Sequence, residues 1–236
     1  MNFKSNSILN TKIQSDINRD KYKYTINSIV YNANWITYDM NKFISINGEI
    51  IYSKENLNGK LIILGSIKEI IKNAFKNCSK LKTVIIGNSI TSIGNAAFKN
   101  CTNLKTIIIP NSVISIGDGA FAGCENLYSI IIGNSITSIG DWAFSGCYSL
   151  NSIIIPNSVI SIGEGAFVGC ENLYSITIPD SIETIGYGAF DDCHNLERVI
   201  IIYPPEKQPN KTTNLNFQRK FRTAIYNYKT DFIWEQ

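Results

Sequence analysis

Six cysteines, Cys78, Cys101, Cys124, Cys147, Cys170 and Cys193, are the residues of this chain whose chemistry could be most specific. Thiols at fixed spacing can form disulfides, hold zinc or act as nucleophiles. His194 directly follows Cys193, as a nucleophile and its base might be ordered, but it is the single histidine of the sequence. At the corresponding place after the other cysteines stand Ser79, Thr102, Glu125, Tyr148 and Glu171, which is the behaviour of a variable surface site. The interval between neighbouring cysteines is 23 every time. A constant interval of this size is the mark of stacked supersecondary units.

The whole sequence repeats at that period. Phe75, Phe98, Phe121, Phe144, Phe167 and Phe190 each follow an alanine and stand three residues before a cysteine. Leu81, Leu104, Leu127, Leu150, Leu173 and Leu196 stand three residues after one. The unit reads L-x-x-I-x-I-G/P-N/D-S-I/V-x-x-I-G-x-x-A-F-x-x-C-x-x and runs from Leu61 to Ile202 as about six copies. A longer period lies on top: Asn111 to Ile132 and Asn157 to Ile178 differ only at Asp118/Glu164, Ala122/Val168 and Ile131/Thr177, as after duplication of a two-unit block.

Each part of the unit has a local reading. The β-branched run Leu104 to Ile109 favours a short strand with Leu104, Ile107 and Ile109 inward. Pro110, Asn111 and Ser112 turn the chain, because proline fixes φ and the short polar side chains bond nearby backbone. Gly117 allows an unusual backbone angle or a close approach. Ala120, Phe121 and Cys124 then have the spacing of one helical turn facing inward. A lone unit has too little apolar surface to offset the ordering of its backbone, so stacking must supply the core. The expected fold is an α/β repeat solenoid, with a parallel β-sheet on one face, short helical turns on the other, and a cap at each end. In such a stack equivalent Cα atoms come within disulfide reach, yet the thiols point in parallel into the core instead of converging on a metal. The cysteines are therefore expected to form a reduced, buried structural ladder, and no cofactor or metal is expected.

These positions resemble leucine-rich repeats, specifically the BspA-like subclass, whose 23-residue unit carries I-x-I-P-x-S/G-V/I-x-x-I-G-x-x-A-F-x-x-C. Departures are Gly87 and Gly133 in place of proline, and Ile71 where later rungs have Gly94 or Gly117. The resemblance implies a curved, right-handed solenoid that binds other macromolecules, often on microbial surfaces, with no catalytic activity of its own.

Alternation along each strand sets two columns outward. One is Ile62, Ile85, Ile108, Ile131, Ile154, Thr177 and Ile200; beside it run Thr83, Thr106, Ser129, Ser152 and Ser175. Sheet positions facing water are normally polar, and a contiguous apolar column marks an interaction face. The expected partner is another protein. Charge is divided lengthwise: Leu61 to Ile109 holds seven lysines and Glu69, a net of +6, whereas Pro110 to Ile202 holds Arg198 and ten acids, a net of −9. Such a dipole could steer a charged partner or support self-association.

Residues 1–20 are a polar tail, 21–60 a β-rich N-terminal cap, 61–202 the solenoid, and 203–236 a C-terminal loop and cap. Within 21–60 the alternating segments Tyr22 to Tyr31 and Trp35 to Tyr38 read as strands, and Asn47 with Gly48 suits a type I′ hairpin turn. In the closing segment, Phe217, Phe221, Ile225 and Tyr228 have roughly helical spacing. The basic-aromatic run Gln218 to Arg222 is too short for a specific nucleic-acid signal. Asn77, Asn100 and Asn210 match N-x-S/T, read as compositional. No phosphate-binding, dinucleotide or hydrolase motif occurs. No apolar run reaches the length of a membrane span and the start lacks the pattern of a secretory signal, so the expected location is cytoplasmic, with the cell surface as alternative.

Overall fold

β-branched residues in period-two alternation become strands, and successive strands lie one repeat apart. A computed structural model describes residues 59–63 and 68–203, together with strand backbone at Ser28–Tyr31, Thr37–Asp39, Lys42–Ile44, Ile50–Ser53 and Asp231–Glu235. Each rung carries two strands. The longer one is represented by Leu81–Ile86, with Leu81, Val84 and Ile86 buried and Lys82 exposed. The shorter one, such as Ser115–Ile116, buries its isoleucine. Pairing is parallel and in step with the repeat: Ser129 lies opposite Thr106 and Ile131 opposite Ile108, while Ser115 faces Ser138 in the second sheet. The six short strands from Glu69–Ile70 to Thr184–Ile185 form one uninterrupted sheet.

The sheet of longer strands is not uninterrupted. Gly59–Ile63, Leu81–Ile86, Thr106–Ile108 and Ser129–Ile131 belong to one hydrogen-bonded sheet; Ser152–Ile154, Ser175–Pro179 and Arg198–Ile202 belong to another. At the two outer ends pairing continues beyond the regular unit, with Ser28–Tyr31 parallel to Gly59–Ile63 and Asp231–Glu235 parallel to Arg198–Ile202. Lys42–Ile44 and Ile50–Ser53 pair antiparallel up to Ile44 opposite Ile50; Asn47 and Gly48 lie outside the described residues.

One helical expectation is corrected. Among the described residues there is no helix: Gly117 to Cys124 and its equivalents are turns. The reason is the destination of the N–H groups. Those of Gly119, Phe121 and Gly123 donate to the carbonyls of Asp141, Ala143 and Ser145 in the next rung, each at 2.7 Å, while those of Ala120, Ala122 and Cys124 reach back only three residues. An α-helix requires N–H groups to bond four residues back; here every second one is given to the neighbouring rung. Left-handed residues four apart impose this alternation, Gly119 and Gly123 at φ 58° and 70°, and Trp142 and Gly146 at 58° and 67°. The α/β class thus becomes a parallel β-solenoid with turns as its third side. In the closing segment Asp231–Glu235 is a strand whose backbone extends the ladder of Arg198–Ile202 and sets Phe232 opposite Val199. Phe217, Phe221, Ile225 and Tyr228 lie outside the described residues.

The core is made of stacked identical residues. The phenylalanine rings from Phe75 to Phe190 stack with centroids 5.2 to 5.3 Å apart and interplanar angles of 2° to 14°. Gly140 keeps rungs close without any unusual φ: a Cβ there would lie 2.7 Å from the backbone nitrogen of Asp118. Of the two roles open to this glycine column, close approach is the one the fold uses.

Candidate functional site

The cysteines are placed by the turn that follows each phenylalanine. All six are buried free thiols. Their role is more specific than that of a small apolar filler. Cys101, Cys124, Cys147, Cys170 and Cys193 each donate an S–H to the carbonyl oxygen of Phe75, Phe98, Phe121, Phe144 and Phe167 respectively, at 3.1 to 3.4 Å. Each thiol therefore ties its rung to the one before. Burial pushes the Cys147 thiol up to about 12, and burial, then the neighbouring thiols, push Cys124 and Cys170 in the same direction. Protonated, buried thiols are poor nucleophiles and poor metal ligands. Among the described residues no group of histidine, cysteine and acid side chains could hold a metal ion. Cys193 points inward to Phe167 whereas His194 is exposed. Ellman's reagent is expected to find no reactive thiol in the native protein and six after denaturation without reductant; a denatured count below six would show a disulfide and refute the reduced ladder.

The outward columns sit on the face of the longer strands. Ile85, Ile108, Thr177 and Ile200 are half-buried, whereas Ile131 is 48% and Ile154 67% exposed. Ile62 occupies the register opposite Ile85, and its side chain is outside the described residues. Thr83, Thr106, Ser129 and Ser175 are half-buried and Ser152 is exposed. Register joins the columns rung by rung, with Thr83 on Thr106, Ser152 on Ser175, and Thr177 on Ile200.

The most exposed isoleucines flank an interruption of the strand ladder. Ser129–Ile131 and Ser152–Ile154 are the neighbouring strands between which the ladder stops. The side chains beneath show the same opening: Ile130 and Ile132 are 8% and 7% exposed, against 2% and 1% for Ile107 and Ile109 one rung earlier. The second sheet and the phenylalanine stack pass this level unbroken, with Phe121 and Phe144 at 5.3 Å. The regular pairing thus continues at the back and is interrupted at the strand face. Ile131 and Ile154, on the two strands that flank the interruption, are the most exposed isoleucines of the column.

A third column escaped the repeat pattern. Lys82, Lys105, Tyr128, Asn151, Tyr174 and Glu197, the residues just after each rung's leucine, are all exposed. They change from basic through aromatic to acidic along the face. Since no type is shared among them, a search for what recurs passes over them; the signal is the change itself.

Among the described residues no helix is long and apolar enough to cross a membrane. The family model described as BspA type leucine rich repeat region matches residues 3–105 and 91–208, in six copies. No curated protein matches the chain. Among solved structures, a leucine-rich repeat protein from Bacteroides ovatus is 26% identical with a TM-score of 0.61, over 80% of this chain and 51% of that one. The T. pallidum leucine rich repeat protein is 24% identical with a TM-score of 0.63, over 88% of this chain and 100% of that one. The pneumococcal vaccine antigen PcpA is 19% identical with a TM-score of 0.50, over 83% and 46%. The chain spans about half the length of the Bacteroides ovatus protein, and the two less similar structures show the shared fold alone. With its repeat, its buried cysteine ladder and a family match over most of its length, the chain belongs to the BspA-type leucine-rich-repeat family.

Proposed function

We propose that the protein is a non-catalytic scaffold that binds another protein through the face of its longer strands. The observation that carries this reading is the pair Ile131 and Ile154, large apolar side chains 48% and 67% exposed where the ladder is interrupted. Burying both on a partner removes apolar area worth about 1.5 to 3 kcal/mol for each fully covered side chain. The small hydroxyl column beside them lets a partner's backbone come close.

The test is built into the sequence. Thr177 stands in the second copy of the duplicated block where Ile131 stands in the first, so the rung accepts threonine. Replacing Ile108, Ile131 and Ile154 by threonine should leave the thermal transition nearly in place and weaken partner binding by about tenfold or more. Affinity capture with wild type and triple variant in parallel reads this out. Equal recovery of the same partner by both would reject the strand face as the binding surface. A cell-surface adhesin would use the same face in another compartment, and proteolysis of intact cells followed by cell fractionation distinguishes the two locations.

A further inference from the structure

We propose that one occupant of the strand face is a second copy of this chain, turned end for end about a two-fold axis that passes between Ile131 and Ile154. The inference rests on the strand-face reading and adds the partner and its register. A rotation about the strand direction brings each rung of one copy over the rung equally far from the opposite end of the other. The two copies then meet through the same column at every level, as an isologous contact must.

The residues complement one another under this operation. Lys82 falls on the partner copy's Glu197, Lys105 on its Tyr174, and Tyr128 on its Asn151. These are an ion pair, a cation over an aromatic ring and a hydrogen-bonding pair, all formed by exposed side chains. Arg198 meets Thr83, so no like charge within these columns is placed on its equal. At the axis Ile131 of each copy lies on Ile154 of the other, and the four most exposed isoleucine side chains of the columns form one cluster where both ladders are open. The overall field agrees: the +6 segment of one copy, residues 61–109, covers the far end of the other copy's −9 segment. The alternative two-fold, along the solenoid axis, sets each rung on the same rung of the partner copy and each charged segment on its like, and repulsion disfavours it.

The three columns make a narrow strip, about 10 Å wide from strand spacing and about 24 Å long over five rung intervals. A contact of this size belongs with small, transient interfaces below about 1,200 Å² in total. Association is therefore expected to be weak and visible only as protein concentration rises. Its charge component should fade with salt, because the Debye length shrinks from about 30 Å at 0.01 M to about 3 Å at 1 M.

Sedimentation of the full chain over a concentration series at low and high salt gives the first readout. A monomer–dimer equilibrium that weakens at high salt is expected; a monomer at every concentration and salt overturns the pairing, and the threonine variants then still report separately on a different protein partner. Register is tested by oxidation of single-cysteine surface variants, since the native thiols are buried. A mixture of Lys82→Cys and Glu197→Cys chains should give a disulfide-linked dimer, and neither variant alone should do so, because its two engineered thiols stand about 24 Å apart. Linkage in the Lys82→Cys sample alone, or none in the mixture, overturns the antiparallel register. Charge reversal completes the set: Lys82→Glu and Glu197→Lys should each weaken association about tenfold, and mixing the two should restore it, because the mixed pair sets an acid on a lysine at both ends. Equal dimerisation by all of these would remove the ion pair from the interface.

Discussion

Phe144→Ala is expected to lower the free energy of unfolding by about 3 to 5 kcal/mol, measured by urea or thermal denaturation. The ring is fully buried and stacks with Phe121 on one side and Phe167 on the other, both at 5.3 Å. The cost of a large-to-small change depends on how far the site can collapse around the space it leaves. Here collapse is blocked on the axis of the stack, because the backbone fixes the rung spacing. The N–H of Phe121 donates to the carbonyl of Ala143 and that of Phe144 to the carbonyl of Ala166, each at 2.7 Å, so neither neighbouring ring can slide into the gap without breaking this ladder. The stack also runs past the level where the strand-face ladder stops. At that level the turn ladder, the second sheet and the phenylalanine column are what hold the two halves of the array together. In a nearest-neighbour array a weakened central interface uncouples the two sides, so the variant should also unfold over a broader transition with a smaller denaturant dependence. A loss below about 1 kcal/mol with an unchanged slope would show that the rungs relax around the missing ring and that the stack is not a principal coupling element.

Much of this architecture is legible in the sequence because the repeat supplies six readings of every position. Leu104, Ile107, Ile109, Ala120, Phe121 and Cys124 are inward in the structure as their spacing requires, all of them buried. The turn was misread for a physical reason. Ala, Phe and Cys at that spacing face one side both of a helical turn and of a chain that gives alternate N–H groups to the next rung. Only the hydrogen-bond destinations separate the two, and those lie in a different part of the sequence. The recurrence of Gly119 with Gly123 and Gly165 with Gly169, each at positive φ, is the local trace of the second arrangement. The presence of Trp142 in one of these left-handed places hides that trace in its own rung. The candidate face shows the same limit in another form. Periodicity puts all the isoleucines of the column on one face and cannot grade them. Half-buried Ile108 and exposed Ile154 differ although the residue type is the same, and the interrupted ladder beside Ile154 is announced by no residue type. Lys82 to Glu197 were missed because a consensus keeps what is constant, while recognition by a repeat scaffold resides in what varies.

Alkaline pH should unfold the solenoid well before it damages the peptide chain, and the buried thiols set where. In the unfolded chain a cysteine releases its proton near 9; in the fold, burial holds the Cys147 thiol up to about 12 and pushes Cys124 and Cys170 the same way. Below the unfolded value both states keep the proton and stability does not depend on these groups. Above it the unfolded state gains by ionising while the folded state cannot, so stability falls with each pH unit by about 1.4 kcal/mol per thiol until the folded value is reached. For Cys147 the interval from about 9 to about 12 amounts to about 4 kcal/mol. Cys124 and Cys170, pushed up by burial and then by the neighbouring thiols, add to this loss in the same direction. Tyr203, raised by burial and then by Asp180, adds in the same direction. A circular-dichroism titration should therefore show cooperative unfolding within the interval from about pH 9 to about pH 12. The variant with Cys124, Cys147 and Cys170 replaced by alanine separates this cause from general alkaline repulsion. It loses three S–H···O bonds and some packing, so it should be less stable than wild type at pH 7, yet its stability should decline less steeply above pH 9. Parallel declines in the two proteins would mean that the thiols are not the groups whose ionisation drives unfolding, and that a different buried acid carries the alkaline limit of the fold.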